Sequence, residues 1–171
     1  MLSAAARFND SGFERKTLPL KLRDIVPEKK LEKPRVVLDS NVFISAVLFG
    51  GKPREILDLA IKGLIGIAVS DDILDEIKGA LEGKKFQFPM KSVYASMREI
   101  EDLAELVEPK ERIEAVPDDP EDNRVLECAA ESGSNVIVSG DSHLLALRSF
   151  GKIKITNPDE FLRLFRKKTV R

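Results

Sequence analysis

VVLDSNVFISAVLFG, residues 36–50, decides the fold. Val36-Val37-Leu38 is a wholly apolar run, too short for a helix and the pattern of a strand buried on both faces. It runs straight into Asp39. Val42 to Leu48 then reads as a short helix that ends at Gly50-Gly51. The stretch NVIVSGDSHLL, residues 135–145, repeats the arrangement. Val136-Ile137-Val138 is a buried strand that ends at Ser139-Gly140-Asp141, and a short helix follows.

Outward from these two stretches, strands and helices alternate. Pro53 marks a helix start and Gly63 its stop, around Ile56, Leu57, Ala60 and Ile61. Ile65 to Val69 is the next strand. Ser70 is placed to cap a helix to about Leu81, with Ile73, Leu74, Ile77 and Leu81 on one face. Pro89 to Val107 carries a longer helical pattern. Asp119-Pro120 opens another helix. Lys152 to Ile155 is a strand, and Asn157 or Asp159 opens the C-terminal helix PDEFLRLFRKK. Short apolar strands separated by helices imply an α/β fold with a mostly parallel central sheet covered on both faces, a three-layer α/β/α sandwich.

Residues 1–34 differ in character. They hold Pro19, Pro27 and the charged run PEKKLEKP, and their eight basic and five acidic residues leave a net charge of +3. They read as a solvated leader ahead of a domain at 35–171. A sharper reading makes them an arm that docks through Leu18, Leu20, Leu22 and Ile25.

Composition narrows the chemistry. The chain has 171 residues, with 28 Lys plus Arg against 29 Asp plus Glu, for a net charge of −1. This excludes a strongly basic nucleic-acid coat protein but leaves room for a local basic face. Cys128 is the one cysteine, which excludes an intrachain disulfide and a cysteine-rich zinc site. As a catalytic thiol it has no activating motif beside it. His143 is the one histidine, which excludes a two-histidine acid–base ribonuclease mechanism. No apolar run approaches the roughly 20 residues of a membrane span. The N-terminus lacks a signal-peptide core, so a cytoplasmic protein is expected.

In an open parallel sheet, ligands gather beyond the carboxyl ends of the strands. Asp39 and Asp141 stand there together. Asp122 precedes Val125, Leu126 and Ala129 by three, four and seven residues, so it lies on the apolar stripe of its helix and faces the interior. A first-turn acid is favoured by the helix dipole, but Glu121 would meet that need equally well. On the Ser70 helix, Glu76 lies about 105° from the centre of the apolar stripe and Asp75 about 155°. Glu76 is therefore nearer the protein side, by a small margin over Asp71. Clustered carboxylates repel one another unless a cation neutralises them. With so little His and Cys, that cation is expected to be Mg²⁺ or Mn²⁺ rather than Zn²⁺. The residues alone thus point to a Mg²⁺-dependent phosphoryl enzyme or a Mg²⁺-dependent switch.

At VVLDSNVFISAVLFGGKPREIL, AVSDDILDEIKGAL and PDDPEDNRVLECAAESGSNVIVSGDSHLL the sequence resembles a PIN-domain ribonuclease, in particular the VapC-like toxins of toxin–antitoxin pairs. The match runs from about Arg35 to Phe165. Under it the family's four acids fall on Asp39, Glu76, Asp122 and Asp141, its polar residue after the first acid on Asn41, and its small hydroxyl before the fourth acid on Ser139. The resemblance implies a PIN fold, Mg²⁺ or Mn²⁺ dependence, endonucleolytic cleavage of RNA, a homodimer and a neutralising antitoxin. The chain departs from the pattern twice. His143 stands where many relatives carry a further acid, and the leader is longer than usual.

Rival readings are a receiver-like signalling domain, a haloacid-dehalogenase-type phosphatase, and a PIN module that only binds RNA or protein. The first needs paired acids at the first strand end, and the second needs Asp-x-Asp, which Asn41 breaks. RNA approaching a four-acid cleft needs flanking cations. The candidates are Lys52, Arg54, Arg124 and the C-terminal Arg166, Lys167 and Lys168. Phe43, Phe49 and Phe150 read as core or dimer surface, and His143 as a surface residue at a helix start.

Overall fold

The computed structural model describes residues 33–117 and 119–169. The leader at 1–34 therefore falls almost wholly outside the described residues. Strands β1 (Arg35–Leu38), β2 (Gly66–Val69), β3 (Ala104–Leu106), β4 (Val136–Val138), β5 (Ser149–Phe150) and β6 (Ile153–Thr156) form one sheet in the order β3-β2-β1-β4-β6-β5. All neighbours pair in parallel except β5, which runs antiparallel to β6. The helices are α1 (Ser40–Leu48), α2 (Gly51–Ile61), α3 (Asp71–Glu82), α4 (Met90–Leu103), α5 (Pro120–Ser132), α6 (Ser142–Leu147) and α7 (Pro158–Thr169).

The apolar run that opens the domain ends up where its pattern demands. Val36, Val37 and Leu38 have no exposed surface although consecutive strand residues point to opposite faces. Both faces of the sheet centre are therefore covered, which makes three layers. Phe43 on α1 is also fully buried, whereas Phe49 just beyond it is 74% exposed. Of the three aromatic residues read as core or dimer surface, Phe43 is core, Phe49 is surface and Phe150 is partly buried against the core.

Two elements differ from the sequence reading. The helix read through Val107 stops at Leu103, and β3 follows. Its residues add an edge strand beside β2, and Val107 N–H still reaches Val69 O at 2.8 Å. Sheet pairing outweighs local helical periodicity here. The other is β5, two residues long, which the sequence reading placed in no element.

Caps follow local chemistry. Asp119 accepts a hydrogen bond from Glu121 N–H at 3.0 Å, Pro120 takes the first turn of α5, and Gly133 ends the helix at φ +64°. Asn157 caps α7 by accepting from Glu160 N–H at 2.9 Å. Ser70 occupies the N-cap position of α3, but its buried hydroxyl makes no capping bond.

Candidate active site

β2, β1 and β4 are adjacent and parallel, so their carboxyl ends share one edge. Asp39 follows β1 there and is buried at 4% exposure. Its backbone N–H continues the ladder to Val138 O at 2.9 Å, which pins the residue to the sheet. Ser139, directly after β4 and fully buried, donates its hydroxyl to Asp39 Oδ2 at 2.6 Å. Ser139 Oγ in turn accepts from Asp141 N–H at 2.9 Å. One hydroxyl thus fixes two acids, and Asp141 is further held as the cap of α6 by accepting from His143 N–H at 2.7 Å.

Ser40 makes the corresponding link on the other side. Its hydroxyl donates to Glu76 Oε1 at 2.7 Å and lies 3.3 Å from Asp39 Oδ1. Glu76 on α3 is half-buried while Asp75 and Asp71 are exposed, so α3 presents the glutamate that the helical angles favoured. Burial raises the proton affinity of both Asp39 and Glu76 against the opposing effect of their serine hydrogen bonds, and each also feels a neighbouring carboxylate, Asp141 for Asp39 and Asp39 for Glu76.

Asp122 arrives from α5, which packs across β1, β2 and β4. It is 6% exposed, and its Oδ2 is buried with no hydrogen-bond partner. Burial first, and then the charges of Asp141, Asp119 and Asp39, push its carboxyl up to about 7. The unpartnered oxygen has an imidazole beside it. His143 Nδ1 lies 3.9 Å from Asp122 Oδ2 and 3.7 Å from Asp141 Oδ1. Donor atoms of Asp119, Asp122 and His143 all lie within 4.8 Å of one another.

The structure therefore links Asp39 to Glu76 through Ser40, links Asp39 to Asp141 through Ser139, and sets Asp122 within the field of Asp39 and Asp141. Asn41 is exposed in the first turn of α1. Three residues that sequence reasoning left without a role at this site join it. Ser40 is the bridge between two acids. Asp119 looked fully employed as a helix cap, and His143 looked like a surface residue. The unusual density of acids in DDPED was the one available signal for Asp119.

The cations divide. Arg124, on α5 two residues after Asp122, pairs with Asp72 of α3, and Arg112 stands 4.0 Å from the same carboxylate. Arg112 and Arg124 line a cleft of about 440 Å³ with Pro120, Asn123 and Glu127. Lys52 pairs with Asp159, Arg54 with Asp58 and Glu99, and Arg166 with Glu55. None of these partners is one of the four acids. Lys167 is exposed, and the Lys168 side chain lies outside the described residues. Cys128 is buried and its thiol is pushed up to about 12 by that burial, which removes it as a nucleophile.

The donor set fits a divalent cation. The acids come from the ends of β1 and β4 and from α3 and α5, Asp122 feels the charges of Asp141, Asp119 and Asp39, and a buried oxygen of Asp122 lacks a hydrogen-bond partner. Asp39, Glu76, Asp122 and Asp141 are the residues available to hold such an ion.

A family model for the PIN domain matches residues 35–143. An uncharacterized protein of Methanocaldococcus jannaschii is 29% identical to the chain, over 81% of this chain and 97% of its own length. Among solved structures, a chain of VapBC2 from Rickettsia felis, bound to a DNA fragment from their promoter, superposes with a TM-score of 0.54 at 14% identity. That superposition covers 72% of this chain and 98% of the other, and at this identity it is a likeness of fold. No helix among the described residues is long and apolar enough to cross a membrane.

Proposed function

The chain belongs to the PIN-domain family, and from that premise we propose that it is a metal-dependent endoribonuclease, the toxin of a toxin–antitoxin pair. The observation that carries the reading is the buried, unpartnered Asp122 Oδ2 set among acids that Ser40 and Ser139 tie together. Asp39, Glu76, Asp122 and Asp141 would hold Mg²⁺ or Mn²⁺. When bound, the ion supplies an activated water and neutralises charge on the phosphate oxygens.

The chain's own residues do the rest. Ser139 orients Asp39 and positions Asp141 through its backbone, so two acids keep one relative geometry without side-chain freedom to lose. Asn41, exposed beside Asp39, offers an amide to a substrate phosphate. Glu76, half-buried and held by the Ser40 hydroxyl, brings the acid of α3 to this edge. Arg124, Lys52 and Arg54 flank the RNA path and lower the cost of bringing a polyanion to an acidic cleft.

The antitoxin partner rests on the likeness to the VapBC2 chain. A homodimer is supported by Met90 and Tyr94, exposed one turn apart on α4, and by Phe49. The expected compartment is the cytoplasm.

The test is cleavage of a mixed single-stranded and structured RNA pool with Mg²⁺, with Mn²⁺ and after chelation, with Asp39→Asn as control. Cleavage that needs either ion and drops at least about 100-fold in the variant is expected. Equal cleavage by the variant would overturn the site. Metal-independent RNA binding with no cleavage would establish a binding module instead.

A further inference from the structure

Two arginines that touch none of the four acids converge on one carboxylate. Arg124 of α5 donates to Asp72 Oδ1, and Arg112, in the loop before α5, stands 4.0 Å from Asp72 Oδ2. We propose that Arg112 and Arg124 form a phosphodiester subsite for a single RNA strand, and that the Asp72 carboxylate holds the phosphate's place until the strand displaces it. The proposal deepens the nuclease reading and rests on it for the strand being RNA.

Three observations support it. The first is the form of the contact. Each oxygen of the Asp72 carboxylate faces one guanidinium, and the two non-bridging oxygens of a phosphodiester offer the same pair of acceptors to the same planar donors. The second is which acid can give way. Glu127 accepts from Arg112 at 3.1 Å, but it is buried, and its other oxygen accepts from Ile113 N–H at 2.9 Å. Glu127 therefore anchors Arg112 to α5, the helix that carries Arg124. Asn123 fastens the same loop through Ala115 N–H and Val116 N–H, so both arginines belong to one framework. Asp72 belongs to α3, and its side chain is 36% exposed. An ion pair so open to water is weak, and a phosphate can replace the carboxylate.

The third observation is the place. Asp72 is four residues before Glu76 on α3, so the two share a face with Cβ atoms roughly 5–6 Å apart. The arginines thus stand beside the acids and not among them, where they meet a phosphate next to the one being cut. The cleft they line, about 440 Å³, has room for it. Glu114 and Glu127 line the same cleft. With those two acids present, the guanidiniums are open to a phosphate only when Asp72 has given way, so the Asp72 charge is the decisive one to remove.

The experiment measures binding of a short, fluorescent single-stranded RNA to the full-length protein carrying Asp39→Asn, so that the strand is not cut. In that background Asp72→Asn should tighten binding at least about fivefold. Asp75→Asn removes the same charge from an exposed position on the same helix and should change binding less than about twofold. A gain in affinity cannot come from failed folding. Arg112→Ala should weaken binding at least about fivefold and lower the log–log salt slope by about 0.7, the value for one phosphate contact on a single strand. The gain from Asp72→Asn should fall below about twofold once Arg112 and Arg124 are both alanine. Equal effects of Asp72→Asn and Asp75→Asn, a gain that survives the loss of both arginines, or an unchanged salt slope in Arg112→Ala would overturn the proposal. Cleavage of the same RNA by protein with Asp39 intact tests the nuclease reading by itself. Binding that follows this pattern without cleavage would refute that reading and leave the subsite standing, so the two failures are distinguishable.

Discussion

Replacing Asp122 with Asn should make the metal-free protein more stable at pH 8 and less responsive to metal. Asp122 has a folded-state pKa of about 7 against an ordinary value of 3.8. The folded protein therefore holds a proton between these values that the unfolded chain has released. Stability falls as pH rises through that window, and the full penalty is present above pH 7. Below about pH 4 the carboxyl is protonated in both states and contributes nothing. At 1.36 kcal/mol per pKa unit the ceiling is about 4 kcal/mol. Asp141 and His143 beside it are open to water, and screening there cuts this to roughly 1–2 kcal/mol. Asn has the same shape, carries no charge, and can donate its amide hydrogens to the surrounding carboxylates. Asp122→Asn should thus raise the melting temperature of chelator-treated protein by roughly 2–8 °C at pH 8, a gap that closes towards pH 4. Saturating Mn²⁺ should reverse the order. An ion at 100 times its dissociation constant stabilises the folded state by about 2.7 kcal/mol, and the variant forfeits most of that gain. Thermal unfolding of both proteins across pH 4–8, with and without Mn²⁺, checks both halves. A wild type that is the more stable protein at pH 8 without metal, or a gap that does not change with pH, would refute the reasoning.

Asn123→Ala should cost about 2–4 kcal/mol in chemical denaturation. Asn123 Oδ1 accepts from Ala115 N–H and Val116 N–H at 2.9 and 2.8 Å and its amide donates to Val116 O, so the variant strands buried backbone groups. Neutralising Lys52 and Arg54 together should flatten the salt dependence of RNA binding by about 1.4 in the log–log slope, the value for two phosphate contacts on a single strand. An unchanged slope would take both residues off the RNA path.

What the sequence disclosed follows from the range of the forces involved. β1 and β4 each contain a run of three apolar residues, Val36–Leu38 and Val136–Val138, that leads to an acid, and both the strand and the acid's position at its end are local facts. β3 was hidden because Val93, Met97, Ile100, Leu103 and Val107 keep a helical spacing across the junction, and only the ladder to β2 decides between helix and strand there. β5 is too short to carry any period, and its pairing depends on the turn at Gly151, which adopts φ +55°. Asn123 and Glu127 face the same side of α5 and hold the preceding loop, with Glu127 accepting from Ile113 N–H at 2.9 Å. A polar pair at i and i+4 on an apolar helix is a signal, but the loop that satisfies it is not readable from the spacing.

The site divides along the same line. Asp39 and Asp141 are legible because their place depends only on where a strand ends. Asp122 is legible because a carboxylate on an apolar stripe must have a reason to face inward. Glu76 needed more, since its angle on α3 barely separates it from Asp71, and the deciding contact comes from Ser40 on another element. Asp119 and His143 were obscured by sufficient local explanations, a cap for one and solvent for the other. A capping carboxylate spends one oxygen, and an exposed imidazole can still turn inward. Neither local role keeps the residue away from Asp122. What brings them in is Asp122, whose donor atoms lie within 4.8 Å of theirs only after α5 has been packed against the sheet edge where β1 and β4 end.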